Sequence, residues 1–376
     1  MKNIAIIGSS GSIGRQALSV VRRHPDMFNV TALVVKSSTD LLSEQIAEFS
    51  PNFAGIYDEK ASQDFFVPVD VNLVRGKEAL TFACALEEVD IVVVAVSCMD
   101  GLAPVLTAIE NDKLIALANK ESIVAGGEIV LEKLAKSKAK ILPVDSEHSA
   151  VWQILGDLKG RDVKRIILTA SGGAFFGKDR EFLKTVTPAQ AIKHPNWSMG
   201  KKITIDSATM VNKGLEIIEA ARLFSTKNID YIIHPESIVH SMVEYNDGAV
   251  LAQMGVTSME LPIQYALTYP DRCDTGLKPM DFTRPITFFE PDEINFPAPK
   301  LAKQTLEQGG IMPCVFSAAD EVAVALFLEG KIAFTDITEI IERTLQNTQN
   351  ILHPDIETVY ATYNKITMQI RKEYKA

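Results

Sequence analysis

Apolar and polar positions fall into two regimes along the chain. Over the first 145 residues, short apolar runs alternate with stretches of helical spacing. Asn3 to Ile7 is an apolar run ending in Gly8, which predicts a strand feeding a turn. Ser12 to Arg23 places Ile13, Ala17, Val20 and Val21 on one face, which predicts a helix. Val30 to Val35 and the weaker Phe53 to Tyr57 read as further strands. Val89 to Val96 is β-branched and nearly uninterrupted, the pattern of a strand covered on both faces. Leu114 to Ala118 and Ile141 to Val144 repeat it with helical segments between, which predicts a parallel sheet with helices on its faces.

From residue 146 to 270 the texture changes. Val163 to Thr169, Ile203 to Ile205, Tyr231 to Ile233, Ile238 to Tyr245 and Ala249 to Met254 read as strands. Asn246-Asp247-Gly248 joins the last two as a hairpin. Residues 271–298 are rich in proline and lack periodicity, which predicts a linker. From Pro299 to Tyr374 the pattern is helical throughout. No internal repeat or low-complexity tract interrupts it.

Composition narrows the class. The 376 residues are 47% hydrophobic and 23% charged, enough to bury a large core without a disulfide or metal staple. Acids outnumber bases 48 to 38, a net charge of −10 that argues against a nucleic-acid or anionic-membrane partner. The longest aliphatic stretch, Ile91 to Val96, is far below the roughly twenty residues a bilayer requires. The N-terminal apolar run gives way to glycines, unlike a signal peptide. Cys84, Cys98, Cys273 and Cys314 are widely spaced, so neither a zinc site nor a disulfide framework is indicated. The expectation is a reduced, cytoplasmic, multidomain protein.

Three constellations carry chemistry. Gly8-Ser9-Ser10-Gly11-Ser12-Ile13-Gly14 lies between the first strand and first helix. There glycines admit a pyrophosphate close to the backbone and the helix N-terminus offers free N–H groups. After the second strand stand Lys36, Ser37 and Ser38, with no acid before Asp40. A cation and two hydroxyls suit a 2′-phosphate, hence NADP(H) rather than NAD. In Pro143-Val144-Asp145-Ser146-Glu147-His148, an extended chain would aim Asp145 and Glu147 to one side. Two such carboxylates call for a hard cation such as Mg²⁺ or Mn²⁺. Glu216 is a candidate third ligand, which sequence alone does not join to the pair. The third constellation runs from 171 to 216, where Ser171, Ser207, Asn212 and Lys213 are donors suited to a phosphate. Trp197 and Met199 look like apolar parts of a lid, and His194 taken singly reads as a structural histidine. Asn119-Lys120-Glu121 follows a parallel strand, at the end that faces a ligand crevice.

Taken together these strings resemble the 1-deoxy-D-xylulose 5-phosphate reductoisomerase family. They are GSSGSIG at the start, LANKES at 117–122, PVDSEHSA at 143–150, SGGAFF at 171–176 and HPNWSMGKKITIDSATMVNKGLEIIEA at 194–220. The resemblance spans the chain and implies an α/β architecture in three parts. These are a Rossmann-like NADPH-binding domain (1–145), a central α+β catalytic domain (146–270) with a flap at 194–200, and a C-terminal helical bundle (299–376) after the linker 271–298. It implies a homodimer that rearranges 1-deoxy-D-xylulose 5-phosphate and reduces the product to 2-C-methyl-D-erythritol 4-phosphate. Asp145, Glu147 and Glu216 would hold the cation. Lys120, Glu121 and Ser146 would contact the reacting part of the substrate. Ser171, Ser207, Asn212 and Lys213 would hold its phosphate, with His194 close by and Trp197 packing over its backbone. Ser9, Ser10, Gly11, Ser12, Ile13, Asn119, Glu121 and Gly200 would touch the cofactor, with Lys36, Ser37 and Ser38 at its 2′-phosphate. The chain departs from the family at Ser10, usually threonine, and at Lys36-Ser37-Ser38, where the cation is shifted by one position. Two rivals are another NADP-dependent dehydrogenase, of the semialdehyde or homoserine kind, and a non-catalytic NADP(H)-binding module. The first would not need the acid trio, and the second would not need the 171–216 cluster.

Overall fold

The computed structural model describes residues 1–67, 71–156, 162–197 and 199–375. It divides into two compact units. One is Met1–Ser122, Val130–Ser149 and Ser258–Leu277; the other is Ile123–Ile129, Ala150–Thr257 and Lys278–Ala376. These units differ from the boundaries at 145 and 270 expected from the pattern of apolar and polar positions.

The first unit holds seven parallel strands: β1 (Lys2–Ile7), β2 (Phe28–Val35), β3 (Phe53–Ile56), β4 (Asn72–Arg75), β5 (Ile91–Val94), β6 (Leu114–Leu117) and β7 (Lys140–Pro143). Their order is β4-β3-β2-β1-β5-β6-β7. β1 and β5 are fully buried from Ile4 to Ile7 and from Ile91 to Val94, as two-sided helical cover requires. The order reverses between β1 and β5, which opens a crevice at their carboxyl ends. β4 escapes the sequence reading because it is a four-residue edge strand with polar ends, Asn72 and Arg75. The helix Glu260–Thr268 also belongs to this unit. It is tied to the helix Ser12–Arg23 by Arg23 and Glu260 at 2.5 Å and by His24 and Gln264 at 3.1 Å.

The second unit is built on a four-stranded sheet ordered β11-β10-β8-β9. Its strands are β8 (Val163–Ala170), β9 (Ile229–Ile233), β10 (Val239–Tyr245) and β11 (Val250–Met254). The expected hairpin closes β10 onto β11, with Gly248 at φ +88° and its N–H donating to the Tyr245 carbonyl at 3.0 Å. One expected strand is a helix instead: Ile203 to Ile205 lie inside Lys201–Ala208. Three alternating residues do not separate the two periods, and the i,i+4 pair Lys202–Asp206 at 2.6 Å stabilises the helix. Four long helices, Ala298–Gln308, Met312–Leu328, Asp336–Asn347 and Ile356–Glu373, complete the unit. Met312–Leu328 is buried on nearly every side, as its almost wholly apolar sequence demands. Much of the expected linker is docked: Phe289 bridges to Ile233 on β9, and the His234 ring donates to the Thr287 carbonyl at 2.8 Å.

Candidate active site

In the first unit the glycine turn follows β1. The N–H groups of Gly8 and Ser9 donate to Val34 at 2.8 and 2.9 Å, which folds the chain sharply off the strand. A Cβ on Gly14 would stand 2.3 Å from the Gly8 carbonyl oxygen, and one on Gly8 (φ +96°) 2.5 Å from that of Ala95. No side chain caps the helix Ser12–Arg23 at Gly11, so its first N–H groups are left for an anion. Ser10, Ser12 and Ile13 are half-buried there and Gly11 is exposed. Ser9 is different: it is fully buried, donating to Gln45 at 2.7 Å and accepting from it at its own carbonyl at 3.0 Å. Its hydroxyl and both of its backbone groups are thus engaged within the protein. Lys36 and Ser37 are exposed and Ser38 half-buried after β2. The acid absent from this stretch of sequence is supplied from a distance, since Asp100 lies 3.9 Å from Lys36.

The carboxyl ends of β6 and β7 carry the candidate residues Asn119, Lys120, Glu121, Asp145 and Glu147. Asn119 is buried and works as a clamp. Its amide donates to the carbonyls of Val96 (3.0 Å) and Cys98 (2.9 Å) and to Glu121 (3.1 Å), and its oxygen caps the Lys120–Ala135 helix at Ser122. Lys120, at the first turn, donates to Asp145 at 2.7 Å. The extended chain expected through Asp145 and Glu147 is not what forms. A helix, Ser146–Leu155, begins directly after Asp145. The Asp145 carboxylate accepts the Glu147 N–H at 3.1 Å, so it acts as the helix cap while Glu147 rides in the first turn. Ser146 donates to Glu147 at 2.6 Å. His148, fully buried, meets Asp145 at 3.0 Å. Burial alone would raise the Asp145 pKa, but Lys120 and His148 outweigh it and hold this carboxyl well below its usual range. The role of His148 was visible in principle: it stands three residues after Asp145, one helical turn away.

In the second unit two serine hydroxyls and two backbone N–H groups gather around His194. Its Nε2 lies 3.0 Å from Ser171 Oγ and 3.1 Å from Ser207 Oγ. Its Nδ1 accepts the N–H groups of Asn196 (3.1 Å) and Trp197 (3.0 Å). With Nδ1 so occupied, the proton of the neutral ring sits on Nε2, and the serine hydroxyls keep their own protons for an anion. Burial lowers the His194 pKa, which favours this neutral form. The two serines meet because Gly173 (φ +70°) lets the 171–173 loop touch the end of the Lys201–Ala208 helix, where a Cβ would lie 2.4 Å from the Ser207 oxygen. Lys202 holds that helix, bonding at 2.6 Å to both Asp206 and the buried Asp320. Asn212 and Lys213, aimed in the sequence reading at a phosphate, are bonded in the structure to the buried Glu216, all three in the first turns of Val211–Leu223. Gly200 is the exposed N-cap of Lys201–Ala208. Of the expected flap 194–200, Ser198 lies outside the described residues. Trp197 is half-buried, its ring 6.3 Å from that of His240.

Sequence reasoning missed one further element, Arg222. It donates to the carbonyls of Ile123 and Val124, where the Lys120–Ala135 helix breaks at Gly127 (φ +41°, ψ −120°). Burial lowers its pKa to about 10.

Comparison with known proteins gives the family. The family described as 1-deoxy-D-xylulose 5-phosphate reductoisomerase matches residues 4–127. Two descriptions of its C-terminal domains match 141–224 and 254–369. The reductoisomerase of Geotalea uraniireducens is 49% identical over 366 residues, covering 96% of this chain and 95% of that one. That of Clostridium botulinum (strain Loch Maree) is 44% identical over the whole of both. Among solved structures, a DOX-P reductoisomerase in complex with NADPH, fosmidomycin and magnesium aligns at a TM-score of 0.94 and 36% identity, over 100% of this chain and 98% of that one. The Zymomonas mobilis enzyme in complex with NADPH aligns at 0.92 and 37%, over 100% and 99%. The chain belongs to the 1-deoxy-D-xylulose 5-phosphate reductoisomerase family.

Proposed function

We infer that this chain rearranges 1-deoxy-D-xylulose 5-phosphate and reduces the product with NADPH to 2-C-methyl-D-erythritol 4-phosphate, with a divalent cation bound. The observation that carries the reading is identity of 44–49% to reductoisomerases over essentially the full length. The residues fit both bound groups. The glycine turn, with its uncapped helix and no room for a Cβ at Gly8 or Gly14, is a cradle for a dinucleotide pyrophosphate. Asp145, Glu147 and Glu216 can each offer one carboxylate oxygen, a set that suits Mg²⁺ or Mn²⁺ and not zinc. When bound, the cation supplies a Lewis acid for oxygens on which negative charge develops, and NADPH supplies the hydride.

The chain's own residues do the rest. Lys120 and His148 keep Asp145 ionised and oriented for a cation. Lys120 and Glu121 stand at the helix start beside the crevice, where they face the reacting carbons. Ser171, Ser207 and neutral His194 grip the substrate phosphate, joined by Asn212 and Lys213 when these exchange Glu216 for the anion. That grip lies away from the reacting carbons and is used to orient them. The 194–200 flap closes over the bound substrate, Trp197 against it, and excludes water.

The test is NADPH oxidation with the sugar phosphate and Mg²⁺, followed at the nicotinamide band with the product identified by mass. Glu216→Gln is expected to lower metal-dependent turnover by at least about a hundredfold while NADPH binding stays intact. Full activity of that variant without excess metal would refute the trio. We further propose a cytoplasmic homodimer. Its support is the edge strand β11, whose Val250 and Leu251 are 48% and 50% exposed. No described helix is long and apolar enough to cross a membrane. Leu251→Lys, measured by sedimentation, is expected to shift a dimer toward monomer.

A further inference from the structure

Lys36 is not alone at the end of β2. Its ammonium lies 3.9 Å from an Asp100 carboxylate oxygen and 5.8 Å from the centre of the Tyr57 ring. The three side chains arrive from different strand ends. Lys36 follows β2 directly, and Tyr57 follows β3 with its N–H on the Val35 carbonyl at 3.1 Å. Asp100 sits in the 3-10 turn Cys98–Gly101 after β5. Burial, with the nearby charge of Asp100 adding to it, pushes the Tyr57 pKa up, so the phenol stays protonated. The glycine turn after β1 lies between β2 and β5 in the sheet. An adenosine ribose carried on that turn is therefore flanked by the loop holding Lys36 and the loop holding Asp100.

We propose that Asp100 is a specificity-determining residue of the cofactor site, one that opposes the 2′-phosphate and tempers the preference for NADPH over NADH. Two effects act in the same direction. A carboxylate beside Lys36 occupies the cation that a 2′-phosphate needs, and its own charge repels the dianion directly. Toward NADH the acid is harmless or helpful, because a carboxylate near the ribose accepts a hydrogen bond from the free 2′-hydroxyl. Lys36 and Asp100 are 64% and 45% exposed, so solvent screens the contact and its effect is modest. The inference rests on the NADPH reading above and names a residue that sets its strength.

Binding, not turnover, separates the two readings. Titrate the full-length protein with 2′,5′-ADP, 5′-AMP, NADPH and NADH, for wild type and Asp100→Asn. The amide keeps the size and shape of the side chain and removes only its charge. Removing the charge is expected to tighten 2′,5′-ADP and NADPH about threefold and to leave 5′-AMP unchanged. The NADPH/NADH affinity ratio rises accordingly, and the gain shrinks with added salt. In a Lys36→Ala background the same substitution is expected to gain less, because no cation is left to release. An unchanged or lower NADPH/NADH ratio for Asp100→Asn overturns the proposal. If wild type binds neither NADPH nor 2′,5′-ADP, the cofactor reading itself fails, which is a separate result.

Discussion

His194 shows how much chemistry one side chain can fix. Its Nδ1 faces two backbone donors, those of Asn196 and Trp197, and its Nε2 faces two hydroxyls. Protonating Nδ1 would set a donor against two donors, and burial independently disfavours the charged ring. Its pKa is thus lowered from the ordinary 6.5. The sign follows from linkage: below 6.5 the unfolded chain takes up the proton before the folded one does, so acidification costs stability over the window beneath 6.5. Wild type should lose more stability between neutral pH and the folded-state pKa than His194→Gln, measured by denaturant melts at stepped pH. Parallel curves would mean that the ring is protonated in both states or in neither. The sequence reading gathered His194, Ser171 and Ser207 into one cluster. It left His194 bland when taken singly, because a tautomer is set by neighbours and not by spacing. Asp145 teaches the same lesson. Its candidacy was legible, but the extended chain expected there does not form, since Asp145 caps a helix and is held ionised by Lys120 and His148.

At the scale of elements, strong signals were read and weak ones were not. The buried strands β1 and β5, the β10–β11 hairpin and the glycine turn all announce themselves through β-branched runs or turn residues. Ile203 to Ile205 gave too short a pattern to tell helix from strand, and β4 too polar a one. Glycine positions allow a direct test of which turns carry function. Gly173 and Gly248 both have positive φ, +70° and +88°, but only at Gly173 would a Cβ collide, 2.4 Å from the Ser207 oxygen. Each substitution to alanine carries the backbone cost of that conformation, about 1 kcal/mol. Gly173→Ala must also push Ser171 and Ser207 apart. It is expected to weaken binding of inorganic phosphate or the sugar phosphate by about tenfold, whereas Gly248→Ala lowers the melting temperature and leaves ligand binding alone. Equal effects on phosphate binding would show that strain, not the closeness of the two serines, governs the site.

At the scale of the whole molecule, the least legible feature is how distant segments share a unit. Residues 258–277 return to the first unit after the chain has built the β8–β11 sheet of the other. No local periodicity reports a contact between positions some 240 apart, such as Arg23 with Glu260 and with Gln264. The pattern of apolar and polar positions changes near 145 and 270 and so divides the chain elsewhere. The Arg23–Glu260 pair offers a test of what this return segment does. It is short, at 2.5 Å, with the side chains 29% and 20% exposed, so it is partly shielded from water. One Arg23 nitrogen, Nε, is buried without a hydrogen-bond partner, which offsets part of the gain. Arg23→Ala and Glu260→Ala should each cost about 1 kcal/mol, with a coupling of similar size in the double variant. Arg23 ends the helix whose other end, Ser12, adjoins the glycine turn, roughly 16 Å away at 1.5 Å per residue. The pair therefore steadies the unit without touching the anion site. NADPH should bind each variant with wild-type affinity and raise its melting temperature by a similar increment. A loss of NADPH affinity in step with stability would instead make the return segment part of the cofactor site's support.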